Sequence, residues 1–222
     1  AQGDWLDVIG PFVDMAKLVT GTASLYRAEY LRRKLALYHR HQVKPFIGGN
    51  FLESIFSRDG YDGAAELFRE CCRLGIKAVE VSETIEAIGW DNRLTLVKMA
   101  LDSGLQVHAE VGTKSRESAL DRMEAEIGAL LDAGAHNVTI EGAELITDGV
   151  ANTALCERIS SSFDLDVILF ELCGPHLPRV SSWETYAMMR FLISSFGPTV
   201  NIGNATPEIV VEIEAQRRGL NE

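Results

Sequence analysis

Four glutamates stand at matching positions, each at the end of a short apolar run typical of a buried strand: Glu80, Glu110, Glu141 and Glu171. A buried carboxylate is costly unless it is paired or bound to a metal ion, and neighbouring like charges raise that cost. A hard divalent cation such as Mg²⁺ would satisfy such a set, and so would lysines at the same edge. A single glutamate at a strand end is more often part of a surface ion pair. Four at matching positions disfavour a surface ion pair, so we predict these glutamates as candidate metal ligands, with pairing to lysines as the alternative.

The segment HAEVGTKS, residues 108–115, places a base close to one of these acids. Lys114 follows Glu110 by four residues and is a candidate functional lysine. The alternative interpretation is a solvated lysine at the start of the next helix. His108 can share the inward face of Glu110, although a lone strand histidine is usually structural. Cys173 also ends a strand, but no histidine is placed to activate it, so we expect a buried, inert thiol.

Short β-branched runs alternate with segments of helical period along the whole chain, which predicts an α/β fold. The predicted strands are Val13–Val19, Val43–Gly48, Ala78–Ser82, Gln106–Val111, Asn137–Glu141, Val167–Leu172 and Thr199–Ile202. The predicted helices are Asp4–Phe12, Ser24–His41, Gly63–Leu74, Trp90–Asp102, Glu117–Ala133, Asn152–Phe163, Trp183–Ser195 and Pro207–Arg218.

Strand–helix units at this spacing make parallel sheets, and no linker divides the chain. We therefore predict one domain over residues 1–222, a (β/α)8 barrel of the TIM type. Seven strands are one short of a closed barrel, so we expect the first strand to lie upstream of residue 1. The alternative is an open doubly wound sheet, which usually carries a glycine-rich phosphate loop that this sequence lacks.

Composition limits the possible partners. The formal net charge of −11 would repel nucleic acid and anionic membrane surfaces. The four cysteines include no CxxC pair, which favours a reducing, cytoplasmic location over a disulfide framework or a zinc ribbon. No apolar run approaches the roughly 20 residues of a membrane span. We therefore expect a cytoplasmic protein that binds neither nucleic acid nor membrane.

Seven segments together resemble the phosphosulfolactate synthase family. In chain order they are VDMAKLVTGT, GGNFLE, GIKAVEVSE, HAEVGTKS, DAGAHNVTIEGAE, VILFE and TVNIGNATPEIVVEIEAQRRGL. The last segment is the most specific of them. The resemblance implies a Mg²⁺-dependent (β/α)8 barrel that adds sulfite to phosphoenolpyruvate in coenzyme M biosynthesis. It also implies small anionic substrates and a homo-oligomer, for which the apolar helix Trp183–Ser195 is a candidate contact.

The resemblance assigns roles to individual residues. Sulfite would attack C3 of phosphoenolpyruvate, Glu110 would help to hold the metal, and Lys114 would protonate C2 as the general acid. Lys17 would bind the substrate phosphate or carboxylate. Backbone N–H groups at Gly203 and Asn204 would bind the phosphate. The glycine pair Gly48 and Gly49 is a further candidate for substrate binding.

This sequence departs from the family pattern where substrate would bind. The family motif Gly-Trp-Gly-Thr is replaced by Val-Thr-Gly-Thr at residues 19–22. The family motif Gly-Gly-Thr is replaced by Gly-Gly-Asn at residues 48–50, and Ser-Asp-Gly is replaced by Ser-Glu-Thr at residues 82–84. Ala143 stands where the family has an arginine suited to binding phosphate or sulfonate. The family motif Glu-Ala-Pro is replaced by Glu-Leu-Cys-Gly-Pro at residues 171–175. Arg179 or His176 would restore the positive charge. Three hypotheses therefore stay open: a true synthase, a divergent lyase with another nucleophile or acceptor, and a catalytically silent relative.

Overall fold

Parallel strands alternate with helices in the computed structural model, which describes residues 2–84, 87–112, 119–147, 150–174 and 181–220. The chain divides into two compact units. The first unit comprises residues 1–110 and 130–136, and the second comprises residues 111–129 and 137–222. The predicted single domain over residues 1–222 stays a prediction.

The first unit begins with a helix and then carries four parallel strands. Its elements are α1 (Gln2–Ile9), β1 (Met15–Leu18), α2 (Ala28–Arg40), β2 (Lys44–Ile47), α3 (Gly49–Leu74), β3 (Ala78–Val81), α4 (Trp90–Asp102) and β4 (Gln106–Val111). Two 3₁₀ turns, Gly10–Phe12 and Val19–Leu25, flank β1. The last residue of β4, Val111, is the first residue of the second unit.

The second unit continues the alternation. Its elements are α5 (Leu120–Asp132), β5 (Asn137–Ile140), α6 (Gly142–Leu145), β6 (Ile146–Thr147), β7 (Val150–Ala151), α7 (Thr153–Ser162), β8 (Ile168–Glu171), α8 (Ser182–Phe196), β9 (Ile202–Gly203) and α9 (Pro207–Arg217). The last turn of α5 is grouped with the first unit. A 3₁₀ turn, Leu165–Val167, precedes β8, while β6 and β7 form a small antiparallel hairpin.

Strand register brings chemically active side chains to one face of the first unit's sheet. β1 to β4 pair in chain order, with Lys17 opposite Phe46 and Glu80 opposite His108. Because side chains alternate along a strand, Glu110 shares the face of His108. All four residues of β3 are buried, as expected for a parallel strand covered on both faces.

The same rule operates in the second unit, where β5 pairs with β8 and β8 pairs with β9, all in parallel. Ile140 lies opposite Phe170, so the glutamates that follow these residues, Glu141 and Glu171, point to the same face. Glu171 in turn lies opposite Gly203.

These strands confirm the predicted α/β fold of the TIM-barrel type, because in each unit the parallel strands pair in chain order. A doubly wound sheet would instead reverse its strand order. The strand expected before residue 1 stays a prediction. Among the described residues, no helix is both long and apolar enough to cross a membrane.

Several elements differ from the sequence predictions. The helix expected from Gly63 begins at Gly49, and Gly60 interrupts it with a positive φ of 62° that glycine adopts without strain. The last strand is shorter and later than predicted, spanning Ile202–Gly203. The β6–β7 hairpin was not predicted, since two-residue strands leave too little alternation to detect.

Candidate active site

A lysine between two buried glutamates forms the charged cluster of the first unit. Lys17 Nζ lies 2.9 Å from Glu80 Oε1 and 3.6 Å from Glu110 Oε2. Both carboxylates are almost fully buried, whereas the lysine side chain is 26% exposed. Burying the acids is tolerated because the ammonium offsets their charge, and its exposed part can reach a ligand.

The other oxygen of Glu80 is held by the first turn of α3. Gly49 N–H donates to Glu80 Oε2 at 2.7 Å, so a helix N-terminus adds its positive end to the ammonium. Charge-assisted hydrogen bonds of this kind are short and strong. The contacts of Glu80 are therefore those of an anchored ion pair that fixes Lys17 in place.

Close packing explains the glycine pair at the start of α3. A Cβ on Gly48 would lie 3.3 Å from Lys17 Cγ, and a Cβ on Gly49 would overlap the Ser82 hydroxyl. Any larger side chain would push α3 away from β1 and β3. The structure thus gives Gly48 and Gly49 a packing role, and their predicted contact with substrate stays a prediction.

The Gly49→Ala variant should be less stable than the wild type by about 1–3 kcal/mol, since overpacking a fixed site forces the backbone to shift. Urea unfolding monitored by circular dichroism measures this difference. Gly128→Ala is the matched control, because Gly128 lies in α5 with no atom within 4 Å of its added Cβ. That control should gain roughly 0.5–1 kcal/mol from higher helix propensity. Equal stability of Gly49→Ala and wild type would refute the packing role.

Arg93 is a buried charged residue that the sequence analysis did not identify. It is 3% exposed on α4, and its Nη2 donates to the carbonyl oxygen of Glu110 at 2.6 Å. Its Nη1 lies 3.7 Å from Glu83 Oε2. The guanidinium therefore ties α4 to the end of β4, where Glu110 is presented. The sequence pattern alone could not reveal this role, because it does not distinguish a buried arginine in an amphipathic helix from the more common solvent-exposed one.

Two buried glutamates form the candidate metal site of the second unit. Glu141 is 1% exposed and Glu171 is 7% exposed. Each offers a carboxylate oxygen within 4.8 Å of the other. Two buried carboxylates at this separation repel each other unless a cation lies near them. Oxygen donors of this kind suit Mg²⁺, which is usually bound through one or two carboxylates and retains several waters.

The backbone around this pair is held closely. Glu141 N–H donates to the Val111 carbonyl at 2.9 Å, and Glu141 Oε1 accepts from Ala143 N–H at 3.3 Å. A Cβ on Gly142 would lie 2.9 Å from the carbonyl oxygen of Glu171. Glycine at 142 therefore allows the two strand ends to approach, which places the two carboxylates side by side.

Cys173 is a buried thiol, as expected from the sequence. Its Sγ donates to the Gly142 carbonyl at 2.7 Å. Burial, together with the charges of Glu141 and Glu171, raises the pKa of the Cys173 thiol to about 12. The thiol therefore stays protonated at neutral pH and is a poor nucleophile.

Thiol labelling of the folded protein should detect one fast cysteine, Cys72, which is exposed. Cys71, Cys156 and Cys173 are buried, and burial raises the pKa of each to about 12, so little thiolate forms below that pH. A colorimetric disulfide reagent at pH 8 measures the number of reactive thiols. All four should react after unfolding, and Cys72→Ser should remove the fast phase. Labelling of Cys173 as fast as Cys72 would contradict the buried thiol.

The predicted phosphate-binding residues lie at the end of β9. Asn204 has a φ of 58°, and its side-chain Nδ2 donates to the Leu172 carbonyl at 3.0 Å. Leu172 N–H donates to the Gly203 carbonyl at 3.0 Å. The Asn204 side chain thus holds the ends of β8 and β9 together. Phosphate binding by the N–H groups of Gly203 and Asn204 stays a prediction.

Two predicted site residues lie outside the described residues. They are Lys114, the predicted general acid, and Arg179, the predicted replacement for the family arginine. His176, the other candidate for that replacement, also lies outside them. Their roles stay predictions.

Solved structures with a similar fold cover almost the whole chain. The carboxyl transferase domain of Rhizobium etli pyruvate carboxylase has a TM-score of 0.60 at 12% identity, over 99% of this chain. The chain spans 43% of the length of that structure. The crystal structure of AsfvAP:AG has a TM-score of 0.54 at 15% identity, over 98% of this chain and 88% of that one. At these identities the likeness extends to the fold alone.

Sequence comparison identifies the relatives. Phosphosulfolactate synthase of Methanocaldococcus jannaschii is 29% identical over 98% of this chain and 85% of its own length. Phosphosulfolactate synthase of Methanothermobacter thermautotrophicus is 30% identical over 98% of this chain and 83% of its own length. The family model described as (2R)-phospho-3-sulfolactate synthase matches residues 1–222. The chain therefore belongs to the phosphosulfolactate synthase family.

Proposed function

We propose that this protein is a lyase that adds sulfite to phosphoenolpyruvate and forms 2-phospho-3-sulfolactate with the help of Mg²⁺. Family membership and the names of the two relatives support the reaction. The observation that carries the proposal is the buried pair Glu141 and Glu171, whose oxygens lie within 4.8 Å of each other. Such a pair suits a hard cation and, through it, an anionic substrate.

The proposed metal ligands are three of the four glutamates at the strand ends. Glu141 and Glu171 belong to the second unit, and we keep Glu110 as a third ligand only because the sequence pattern predicts it. Glu80 is the fourth predicted ligand, but its oxygens contact Lys17 and the Gly49 amide. Its contacts therefore favour an anchoring role. When bound, Mg²⁺ would offset the negative charge that develops on the substrate oxygens.

The remaining steps fall to residues of the chain. Lys17, anchored by Glu80, would bind the carboxylate or phosphate of phosphoenolpyruvate with its partly exposed ammonium. As the sulfur of sulfite bonds to C3, the electron pair of the C2–C3 double bond moves toward C2 and the carboxylate. Lys114 would then donate a proton to C2 and regain one from solvent. No group leaves the substrate, so the phosphate ester is retained.

The proposal is tested with the full-length protein, phosphoenolpyruvate, sulfite and Mg²⁺, by following the loss of enol absorbance. Consumption should require sulfite, and Lys114→Ala should abolish it. A folded protein that binds Mg²⁺ but consumes no phosphoenolpyruvate would refute this substrate pair and favour a divergent lyase. Failure to bind the metal as well would favour a catalytically silent relative.

A further inference from the structure

A buried carboxylate fastens the first turns of α3 to the end of β3. Glu53 has no exposed surface, and it accepts a hydrogen bond from the Ser82 hydroxyl. Its Oε1 also accepts from Thr84 N–H at 3.0 Å and lies 3.3 Å from Thr84 Oγ1. Donors from Ser82 and Thr84, in the three-residue segment 82–84 that follows β3, offset the cost of burying the carboxylate.

The same three residues contact α3 at a second point. Thr84 Oγ1 donates to Asn50 Oδ1 at 2.8 Å, which is shorter than its distance to Glu53. A hydroxyl carries one hydrogen, so Thr84 shares it between the two acceptors. Asn50 and Thr84 therefore contact each other directly.

Gly49 lies between this network and the charged cluster. It packs so closely on Ser82 that a Cβ would overlap the hydroxyl, and its N–H donates to Glu80 Oε2 at 2.7 Å. The other oxygen of Glu80 accepts from Lys17 Nζ at 2.9 Å. A continuous series of contacts therefore runs from Glu53 to the lysine ammonium.

We propose that Glu53 is a positioning residue, which acts through Ser82, Thr84 and Asn50 to set where the Gly49 amide meets Glu80. Glu80 then sets the place of the Lys17 ammonium. The consequence for turnover rests on the proposed function, in which Lys17 binds the anionic substrate. Loss of the network should displace the Gly49 amide from Glu80 even when α3 stays helical.

The Gly49 amide resonance in a ¹H–¹⁵N spectrum of the whole protein tests this proposal. The Glu80→Gln variant gives the reference chemical shift of the Gly49 amide proton when its acceptor carries no charge. Glu53→Gln and Thr84→Val should both move the Gly49 amide proton upfield, toward that value. Ser54→Ala is the matched control, because it removes only an exposed hydroxyl that bonds to a carbonyl of the same helix. That control should leave the resonance in place.

Turnover gives the second readout. Glu53→Gln and Thr84→Val should raise the KM for phosphoenolpyruvate roughly tenfold with a smaller change in kcat, because a charge-assisted contact to substrate is weakened. A merely structural role would lower the thermal midpoint without moving the Gly49 resonance.

The proposal would be overturned if the chemical shift of the Gly49 amide proton were unchanged in the folded variants. It would also be overturned if Ser54→Ala changed that chemical shift as much as Glu53→Gln does. Should Glu53→Gln fail to fold, Thr84→Val decides, since it changes one half-buried hydroxyl. The resonance needs no turnover. A wild-type protein that fails to add sulfite would refute the proposed function. The chemical shift of the Gly49 amide would still test the positioning role of Glu53.

Discussion

The Glu171→Gln variant should lose Mg²⁺ binding and most of its activity. Glu141 and Glu171 are buried with oxygens within 4.8 Å of each other, and Glu171 supplies one of the charges proposed to hold the ion. Activity should fall about 100-fold or more, because metal charge stabilisation is worth several kcal/mol.

Thermal unfolding over a Mg²⁺ series measures the loss of metal binding. The wild type should gain stability as the metal concentration rises, whereas Glu171→Gln should not, because only a ligand that binds the folded state shifts the equilibrium. Glu157→Gln is the matched control, since Glu157 is exposed on α7 of the same unit. It should behave as the wild type. Undiminished stabilisation of Glu171→Gln by Mg²⁺ would exclude Glu171 as a ligand.

The Lys17→Met variant should be less stable than the wild type. It removes the ammonium that lies 2.9 Å from Glu80 and 3.6 Å from Glu110, while both carboxylates stay buried. Breaking such a pair costs about 3 kcal/mol, the low end of the usual range because the lysine is partly exposed. Chemical denaturation measures the loss. Turnover should also fall, because the proposed contact to the substrate anion is gone.

A double variant separates the ion pair from the packing of the lysine stem. Lys17→Met combined with Glu80→Gln should recover part of the lost stability, because the buried charge left by the first change is then removed. Lys98→Met on the exposed side of α4 serves as the control and should change stability by less than about 0.5 kcal/mol. A Lys17→Met protein as stable as this control would contradict the account of the cluster.

Strong local signals made much of the fold predictable. β4 spans Gln106–Val111 and α4 spans Trp90–Asp102, with the bounds that the sequence predicts. The start of α3 was not predicted because two glycines and an asparagine are residues typical of a turn. Gly49 is helical there since it packs on Ser82, and tertiary packing outweighs its low helix propensity.

The site was predictable to the extent that it follows strand periodicity. The glutamates at strand ends were found because alternation fixes their face and parallel strands fix their edge. Glu53 and Arg93 were not found, since they lie on helices and a charged helical residue usually faces solvent. Their partners are 29 residues away at Ser82 and 17 residues away at Glu110, a pairing that only the folded chain creates.

The most direct test of the proposed reaction is a ³¹P spectrum of phosphoenolpyruvate incubated with the protein, sulfite and Mg²⁺. The reaction retains the phosphate ester, so one new ester resonance should replace that of phosphoenolpyruvate only when sulfite is present. Release of inorganic phosphate, or an unchanged spectrum in a folded protein that Mg²⁺ stabilises, would contradict sulfite addition to phosphoenolpyruvate.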